Sequence, residues 1–260
     1  MGTNFENIIF SLENRIATIT LNREKALNAL DDKITFELSE AFDMCKSDDV
    51  KVVVLNANGK GFSSGGDIKL MTKLESEPNI LNDLLENLHK VVIKMRNLSK
   101  PIIASINGFA FGAGFSLALA CDFRIGSKNS SYSCAFVNIG LVPDTGASFF
   151  LTKLLGSGKA TELMMLGNTI NSEEAYRLGL LNRLVDEQEL SEAVNSLSLE
   201  LSKKPSGSLA RVKQLVNKAI IGDLSDQLGL EAMFQGEVVK LSDFREGIMS
   251  FMEKRKPNFK

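Results

Sequence analysis

The sequence predicts an α/β fold, and three features of the chain lead to this class. Residues 51–56 (KVVVLN) and Ile102–Ile106 (IIASI) are continuous apolar runs with the composition of strands buried on both faces. Each run is followed by a glycine-rich turn and then by apolar residues at helical spacing. From about residue 200 onward the pattern is helical throughout. Strands that alternate with helices in this way favour repeated ββα units.

The composition is that of a globular protein without a strongly charged partner. The chain has 260 residues, of which 44% are hydrophobic and 24% charged, enough for one large core with a small appendage. The formal net charge is −2 and no basic face is visible, which disfavours a nucleic-acid partner. No apolar run is long enough to span a membrane and no signal peptide is recognisable, so we expect no membrane partner.

Cysteine and histidine are too sparse for a disulfide framework or a histidine-rich metal site. Cys45, Cys121 and Cys134 are odd in number and scattered, which indicates a reducing compartment. His89 is the one histidine, and neither a CxxC nor an HExxH pattern is present. We therefore expect a cytoplasmic protein that binds no metal, and we assign no role to His89.

The first half of the chain predicts a hairpin, a capped helix and a long helical region. Residues 8–10 and 16–21 flank a short polar turn, as the strands of a β-hairpin do. Asp31 precedes a segment with apolar residues at helical spacing, so it is suited to be the N-cap. Residues 70–98 predict helical structure, with a break expected at Pro78.

The second half predicts shorter elements. Residues 131–136 are expected to be extended, and residues 149–155 and 158–167 to be two helices. Asn171 is suited to cap a further helix, which a short strand within residues 181–185 follows. The helices after residue 190 are expected to be interrupted near Pro205.

The change of pattern near residue 200 predicts a core of residues 1–200 and a C-terminal helical region of residues 201–260. Apolar residues at helical spacing in this second region are Leu209, Val212, Leu215, Val216, Leu228, Met233 and Phe234. Such faces must be buried against the protein's own core or against a neighbouring subunit. We therefore expect residues 201–260 to form an oligomer interface.

Two glycine-rich turns carry the candidate chemistry. Residues 59–69 (GKGFSSGGDIK) and 107–114 (NGFAFGAG) each lie between a predicted strand and a helix. The first N–H groups of a helix have no partner inside it, and small residues let another molecule approach them. An oxyanion is stabilised best by backbone donors from two directions, and two turns can supply one donor each.

Simpler interpretations of the same glycines remain open. They are also compatible with tight helix–strand packing, or with an ordinary surface loop. A dinucleotide-binding fingerprint is disfavoured, because it needs a third glycine where Leu117 stands.

Asp144 is the candidate acid–base residue, and it lies in residues 139–147 (IGLVPDTGA). Because Asp144 follows Pro143 and precedes a predicted helix, it is equally suited to be an N-cap. Its position alone does not choose between these two roles.

Taken in order, these segments resemble the crotonase, or enoyl-CoA hydratase/isomerase, superfamily over nearly the whole chain. The resemblance is carried by residues 21–30 (LNREKALNAL), 61–69 (GFSSGGDIK), 100–122 (KPIIASINGFAFGAGFSLALACD), 139–147 (IGLVPDTGA) and 253–259 (EKRKPNF). It implies a crotonase-type superhelix of ββα units with a C-terminal helical trimerisation region. It also implies a homotrimer or hexamer that acts on acyl-CoA and needs no cofactor beyond the coenzyme A of its substrate.

The resemblance assigns three groups of site residues. The oxyanion-hole donors are the backbone N–H groups of Gly66 and Ala113. The residues beside coenzyme A are Lys25, Ala26, Leu27, Ser64, Asp67, Ile68 and Lys69. The acyl pocket is assigned to Ser116, Phe136 and Leu141.

Two departures from the family pattern decide the expected chemistry. Hydratases of the family use two glutamates, and this sequence has Ser116 and Phe136 at those positions. Neither side chain can activate water or deliver a proton at neutral pH, so ordinary hydration is not expected. Isomerases of the family can use a single carboxylate after the proline of the LVP segment, which is Asp144 here. We therefore expect a Δ3,Δ2-enoyl-CoA isomerase of fatty acid metabolism, similar in pattern to the phenylacetate-pathway isomerases.

Two alternatives remain. One is another crotonase reaction in the same pocket, namely hydration, thioester hydrolysis or decarboxylation. The other is a non-catalytic member of the family that binds acyl-CoA or RNA. The presence of Asp144 disfavours an inactive pocket, and the mild acidity of the chain disfavours RNA.

Overall fold

Two β-sheets surrounded by helices make up the computed structural model of the chain, which describes residues 5–72 and 79–259. The strands are β1 (Ile8–Glu13), β2 (Ile16–Leu21), β3 (Val52–Ala57), β4 (Gly61–Ser63), β5 (Ile102–Ile106), β6 (Phe109–Phe111), β7 (Phe123–Ser127), β8 (Ser131–Ser133), β9 (Thr169–Asn171) and β10 (Arg183–Val185). The α-helices are α1 (Asp32–Met44), α2 (Ile68–Met71), α3 (Ile80–Asn97), α4 (Gly112–Leu119), α5 (Ala147–Leu166), α6 (Ser172–Arg177), α7 (Leu190–Ser202), α8 (Ser206–Ala219), α9 (Leu224–Val238) and α10 (Ser242–Met252). Short 3₁₀-helices span Glu24–Ala26, Ala135–Ile139 and Glu187–Glu189. None of the helices in the described ranges combines the length and the hydrophobicity that crossing a membrane requires.

The chain steps repeatedly from a large sheet to a small one. The six-stranded sheet has the order β1-β2-β3-β5-β7-β10, and the four-stranded sheet has the order β4-β6-β8-β9. Strands β3, β5 and β7 pair in parallel in the large sheet. The strand after each of them, β4, β6 or β8, pairs in parallel in the small sheet. Each pair then leads into helical structure, so the predicted ββα units are present.

The central strand β3 is buried on both faces, as its β-branched composition predicts. Val53 and Leu55 belong to the main core and are fully buried. Val52 and Val54 lie on the opposite face, in a second apolar cluster that includes Leu197 of α7. Apolar contacts on both sides explain why this strand shows no alternation of polar and apolar residues.

The predictions for the N-terminal part are confirmed. Strands β1 and β2 form an antiparallel hairpin. The side chain of Asp31 accepts a hydrogen bond from the Ile34 N–H and caps α1. Asn171 caps α6 in the same way, through the Glu174 N–H. The break expected at Pro78 lies outside the described residues.

One predicted segment differs from the structure, and one predicted pair of helices forms a single kinked element. The extended segment predicted for residues 131–136 ends at Ser133, and a 3₁₀-helix begins at Ala135. The helices predicted for residues 149–155 and 158–167 are confirmed as the two halves of α5, which is kinked at Gly156, where φ is 73° and ψ is 165°. Glycine adopts this conformation without a steric penalty, so the chain turns there and resumes helical structure.

Helix α7 packs on the core, whereas α8 to α10 form the C-terminal region. Leu190, Val194 and Leu201 of α7 are buried in the cluster on the outer face of the large sheet. The boundary expected at residues 200 and 201 therefore falls within the last turn of α7. Much of the predicted apolar surface of the C-terminal region is exposed. Val212, Val216, Leu228 and Met233 are between 51% and 55% exposed, Leu209 and Leu215 are half-buried, and Phe234 is buried.

A buried ion-pair network joins the C-terminal region to the core. The Nζ of Lys213 in α8 lies 2.8 Å from the Asp122 Oδ2, and the lysine side chain is 7% exposed. Lys213 also donates to the carbonyl oxygens of Met95 and Lys100. The other carboxylate oxygen of Asp122 accepts from the Arg96 guanidinium at 2.9 Å. Asp122 thus neutralises two cations that would otherwise be poorly solvated.

Asp122→Ala should destabilise the protein strongly, because it leaves Lys213 and Arg96 without their counter-charge. We expect the free energy of unfolding to fall by about 3–5 kcal/mol in urea denaturation. The matched control is Asp186→Ala, which breaks a pair with Lys128 in which both side chains are 53% exposed. That change should cost less than about 1 kcal/mol. Equal effects of the two substitutions would contradict a structural role for the Asp122 network.

Candidate active site

A backbone contact between the two glycine-rich turns defines the candidate site. Gly65 has a φ of +98°, in a region that residues with a side chain rarely adopt. A Cβ atom on Gly65 would lie 2.9 Å from the carbonyl oxygen of Phe111 and 3.5 Å from the nitrogen of Ala113. The first turn therefore lies directly against the residues that open α4, and glycine permits this approach.

Hydrogen bonds to Leu30 orient the first turn. The Leu30 N–H donates to the Gly65 carbonyl at 2.8 Å, and the Asp67 N–H donates to the Leu30 carbonyl at 3.0 Å. These two bonds form a parallel bridge between Leu30 and Gly66. Because both bonds come from the residues on either side of Gly66, the N–H of Gly66 itself is left outside the bridge.

The second turn contributes the start of α4. This helix begins at Gly112, and Phe111 precedes it without a side-chain capping bond. The N–H of Ala113 is among the first of the helix, which have no intrahelical acceptor and carry the positive end of the helix dipole. The N–H groups of Gly66 and Ala113 thus belong to adjoining turns, an arrangement suited to binding a developing oxyanion.

Ser116 connects α4 to the loop that carries Asp144. The Ser116 Oγ lies 3.2 Å from the Gly112 carbonyl oxygen and 3.1 Å from the Asp144 carbonyl oxygen. The side chain is fully buried. The structure therefore brings Asp144 next to the first turn of α4, which contains Ala113.

The carboxyl group of Asp144 is partly buried, and its pKa is raised above the ordinary value of 3.8. Burial is the main cause, because it disfavours the charged form. The Thr145 hydroxyl opposes this shift by donating to the Asp144 Oδ1 at 2.8 Å, and an electrostatic interaction with His89 opposes it as well. A carboxyl whose pKa moves towards neutrality is better able both to accept and to return a proton.

The capping interpretation of Asp144 is wrong. Helix α5 begins at Ala147, its N-cap is Gly146, and no side chain caps it. Asp144 contributes its backbone carbonyl, which accepts from the Ala147 N–H at 2.9 Å. Its carboxyl group is therefore not engaged at the helix terminus.

An apolar side chain lies against the start of α4. Phe136 is 6% exposed, and its ring lies 3.8 Å from the position that a Cβ on Gly112 would occupy. The Leu141 N–H donates to the Phe136 carbonyl, and the Leu141 side chain packs on the main core. Burial raises the pKa of the nearby Cys134 thiol to about 12, so this thiol stays protonated and is a poor nucleophile.

The residues assigned to coenzyme A lie along one surface beside the first turn. The Ser64 N–H donates to the Leu27 carbonyl at 3.0 Å, which brings the two segments together. Leu27 and Ile68 are 47% and 60% exposed, and the lysines at positions 25 and 69 are exposed as well, whereas Ala26 is half-buried. Exposed apolar side chains next to cations suit a ligand with an aromatic base and phosphates.

Asp67 holds these segments together and has little carboxylate left for a ligand. Its Oδ2 lies 3.1 Å from the Arg23 guanidinium, and its Oδ1 accepts from the Lys69 N–H and caps α2. Arg23 also pairs with Asp31 at 2.9 Å. We therefore interpret the Asp67 carboxylate as a structural group of the loop.

Sequence patterns did not identify Arg23 or Thr145. Arg23 acts through a contact with Asp67, which lies 44 positions away, and no local pattern encodes such a contact. Thr145 is adjacent to Asp144, and a hydroxyl next to the candidate base was the one sequence signal that could have identified it. Within residues 5–72 and 79–259, no cluster of three or more His, Cys, Asp or Glu side chains is suited to hold a metal ion.

Comparisons with known proteins point to one family. A family model described as enoyl-CoA hydratase/isomerase matches residues 11–260. The chain is 33% identical to trans-2-decenoyl-[acyl-carrier-protein] isomerase of Streptococcus mutans over 258 residues, or 98% of each chain. It is 32% identical to 1,2-epoxyphenylacetyl-CoA isomerase of Escherichia coli over 257 residues, again 98% of each chain.

A solved structure gives the same result for the fold. The crystal structure of an enoyl-CoA hydratase from Polaromonas sp. JS666 superposes with a TM-score of 0.94 at 31% identity, covering 97% of this chain and 99% of the other. Relatives named isomerase and hydratase thus share the fold of this chain over nearly their whole length. The chain belongs to the enoyl-CoA hydratase/isomerase family, which is the crotonase superfamily.

Proposed function

We propose that the protein is a Δ3,Δ2-enoyl-CoA isomerase in which Asp144 is the acid–base residue. The observation that carries this proposal is Asp144, whose backbone carbonyl contacts Ser116 of α4 and whose carboxyl group is partly buried and has a raised pKa. The hydroxyl of Ser116 and the ring of Phe136 occupy the positions where hydratases of the family have glutamates. One carboxylate is enough to move a proton between two carbons of the same substrate.

The proposed reaction starts with the thioester carbonyl oxygen between the N–H groups of Gly66 and Ala113. Asp144 removes a proton from C2 of the 3-enoyl thioester, and the electron pair moves towards the carbonyl oxygen. The two N–H donors stabilise the resulting dienolate oxygen. Asp144 then returns the proton to C4, so the double bond moves from C3 to C2. No cofactor is needed beyond the coenzyme A of the substrate.

Coenzyme A is the proposed carrier of the acyl group. The cationic side chains of Lys25 and Lys69 suit its phosphates, and the apolar side chains of Leu27 and Ile68 suit its adenine ring. The Streptococcus mutans relative is named for an acyl-carrier-protein substrate instead. Comparing kcat/KM for the same acyl group on the two carriers tests this choice.

Hydration is the second candidate reaction, because the Polaromonas structure is titled an enoyl-CoA hydratase. Adding water requires one group to activate it and another to deliver the proton. Ser116 and Phe136 supply neither, so we propose that hydration is at most a minor activity. A panel of 3-enoyl-CoA, 2-enoyl-CoA and epoxidised phenylacetyl-CoA separates the possibilities, and turnover of the 2-enoyl substrate alone, to a hydroxyacyl product, would overturn the isomerase proposal.

We further propose a homotrimer or hexamer located in the cytoplasm. The exposed apolar side chains of α8 to α10 support the oligomer, since monomers rarely expose large contiguous apolar patches. Those of α10 include Phe251 and Met252, which are 81% and 75% exposed. The cysteines at positions 45, 121 and 134 are free and buried, which suits a reducing compartment.

Asp144→Asn should lower isomerase turnover by a factor of roughly 10² or more, while acyl-CoA binding is retained. The assay follows conversion of 3-enoyl-CoA to 2-enoyl-CoA by absorbance. The same variant should be more stable than the wild type at neutral pH, because it removes a charge that burial disfavours. The folded pKa is raised, so the wild type loses stability as pH rises above about 3.8, and the difference should disappear below that value. An Asn variant with undiminished turnover would refute the proposed base.

Gly66→Pro should lower turnover roughly 10²–10³-fold, because it deletes one of the two oxyanion donors. Gly66→Ala keeps the N–H and is the matched control. Circular dichroism of both variants checks that the fold is intact. If folded Gly66→Pro keeps the activity of Gly66→Ala, the N–H of Gly66 is not a donor to the substrate.

Sedimentation at micromolar concentration should give a mass of three or six copies of the 28.4 kDa chain. Leu228→Glu together with Met233→Glu should shift the protein towards smaller species, because two exposed apolar side chains of α9 are then replaced by charges. Gln188→Glu, which places the same group on an exposed 3₁₀-helix, should leave the mass unchanged. A wild-type monomer would count against this proposal.

A further inference from the structure

Two hydroxyl groups contact Asp144, each on a different part of the residue. The Ser116 hydroxyl, which lies on α4, donates to the backbone carbonyl of Asp144, and the Thr145 hydroxyl donates to the carboxylate Oδ1 of Asp144. We propose that Ser116 and Thr145 are positioning residues that fix the backbone and the carboxylate of Asp144, so that its Oδ2 is the oxygen that exchanges the proton. This proposal rests on the proposed role of Asp144 as the base.

The backbone of Asp144 is held from two helices. Its carbonyl oxygen accepts from the Ser116 hydroxyl of α4 at 3.1 Å and from the Ala147 N–H of α5 at 2.9 Å. The Ser116 side chain is fully buried, so water does not compete for this bond. Because Ser116 lies three residues after Ala113, the same helix carries both an oxyanion donor and the contact that locates the carboxylate.

Thr145 holds the carboxylate from a backbone conformation that is unusual for its residue type. Its φ is +52°, in the left-handed region, where a β-branched residue is an outlier. Its side chain is fully buried. Such strain persists where the surrounding structure enforces it, and it is concentrated at functional sites. Here the conformation brings the Thr145 Oγ1 to 2.8 Å from the Asp144 Oδ1.

The neighbouring residues enforce this conformation. Gly146 has a φ of +88°, and a Cβ there would lie 2.8 Å from the ring of Phe150. Thr145 thus lies between Asp144, whose carbonyl oxygen accepts two hydrogen bonds, and Gly146, which lies against the ring of Phe150. A hydroxyl in this position orients the carboxylate plane and leaves one oxygen for the substrate.

The Oδ2 of Asp144 is the available oxygen. Among the residues that the structure describes, none donates a hydrogen bond to it. Oδ1 is engaged with Thr145, and a carboxylate oxygen that already accepts a strong bond is the weaker proton acceptor. Proton removal at C2 and return at C4 therefore both pass through Oδ2.

A packing role is the alternative for both hydroxyls. Serine within a helix commonly bonds to the carbonyl four residues before it, and Ser116 lies 3.2 Å from the Gly112 carbonyl oxygen. Thr145 could likewise stabilise its turn without affecting catalysis. The two interpretations differ in what happens when only the hydroxyl is removed.

The test compares Thr145→Val, which keeps the branched shape, with Thr145→Ser, which keeps the hydroxyl. We expect kcat for isomerisation to fall roughly 10- to 100-fold in Thr145→Val with little change in KM, as for loss of a hydrogen bond to a charged group. Thr145→Ser should recover most of the lost activity. In the Asp144→Asn background, Thr145→Val should cause no further loss, since its hydroxyl acts through the carboxylate.

A second readout does not depend on isomerase activity. Carboxyl ¹³C NMR titration, assigned with Asp144→Asn, measures the pKa of Asp144 directly. The titratable groups that face Asp144 are His89 from α3 and Cys134, which precedes the 3₁₀-helix Ala135–Ile139. Both are present in every variant. Thr145→Val should raise the pKa of Asp144, because a bond that favours the charged form is lost. Ser116→Ala should lower kcat without moving this pKa.

These measurements separate the possible failures. Wild-type kcat and an unchanged Asp144 pKa in Thr145→Val would overturn the role of Thr145, and full kcat in Ser116→Ala would overturn that of Ser116. An equal loss of kcat from Thr145→Val with and without Asp144 would also overturn the proposal in favour of packing. Full turnover in Asp144→Asn would refute the proposed function instead, and the NMR titration would still decide whether Thr145 holds the carboxylate.

Discussion

The contact between the backbone of Gly65 and the first residues of α4 is the constraint on which the candidate site depends. Parallel pairing of β4 and β6 puts the carboxyl ends of both strands at one edge of the small sheet, so the turns that follow them meet. Neither turn has room for a side chain at its closest glycine. A Cβ on Gly114 would lie 2.5 Å from the Ser63 Cβ, and one on Gly65 would lie 2.9 Å from a carbonyl oxygen. Wider spacing would separate the two N–H donors.

Burial of the Asp144 carboxyl lowers the stability of the folded protein and suits the proposed proton transfer. Burial of the Asp144 carboxyl raises its pKa, because the charged form is more stable in water than in the folded protein. The hydroxyl of Thr145 offsets part of this cost but does so from a strained backbone. The stabilising interactions lie elsewhere, in the two apolar clusters around the large sheet and in the ion pairs of Asp122. The site thus depends on a core that is stable enough to hold it.

Local patterns predicted most of the fold and only part of the site. The strands β3 and β5, the caps Asp31 and Asn171 and the change to helices follow from periodicity and side-chain chemistry within a few residues. The two turns were located because glycine requirements are also local. The structure of residues 131–136 was predicted less well, because its strand ends at Ser133 and a 3₁₀-helix follows, which the local pattern does not indicate. The contacts made by Arg23 join residues far apart in the sequence, which periodicity cannot reveal.

Both proposed oxyanion donors are main-chain groups, and this has an evolutionary consequence. A main-chain N–H is present whichever side chain a residue carries, proline excepted, so substitutions at most positions around the pocket leave the donors intact. The proposed acid–base group is the side chain at position 144, and positions 116 and 136 likewise contribute side chains, which single-codon changes can exchange. A lineage can therefore replace the side chains that transfer protons while the proposed main-chain donors to the thioester carbonyl stay unchanged. Such a scaffold can change its reaction through ancestors that all keep the main-chain groups proposed to bind the thioester.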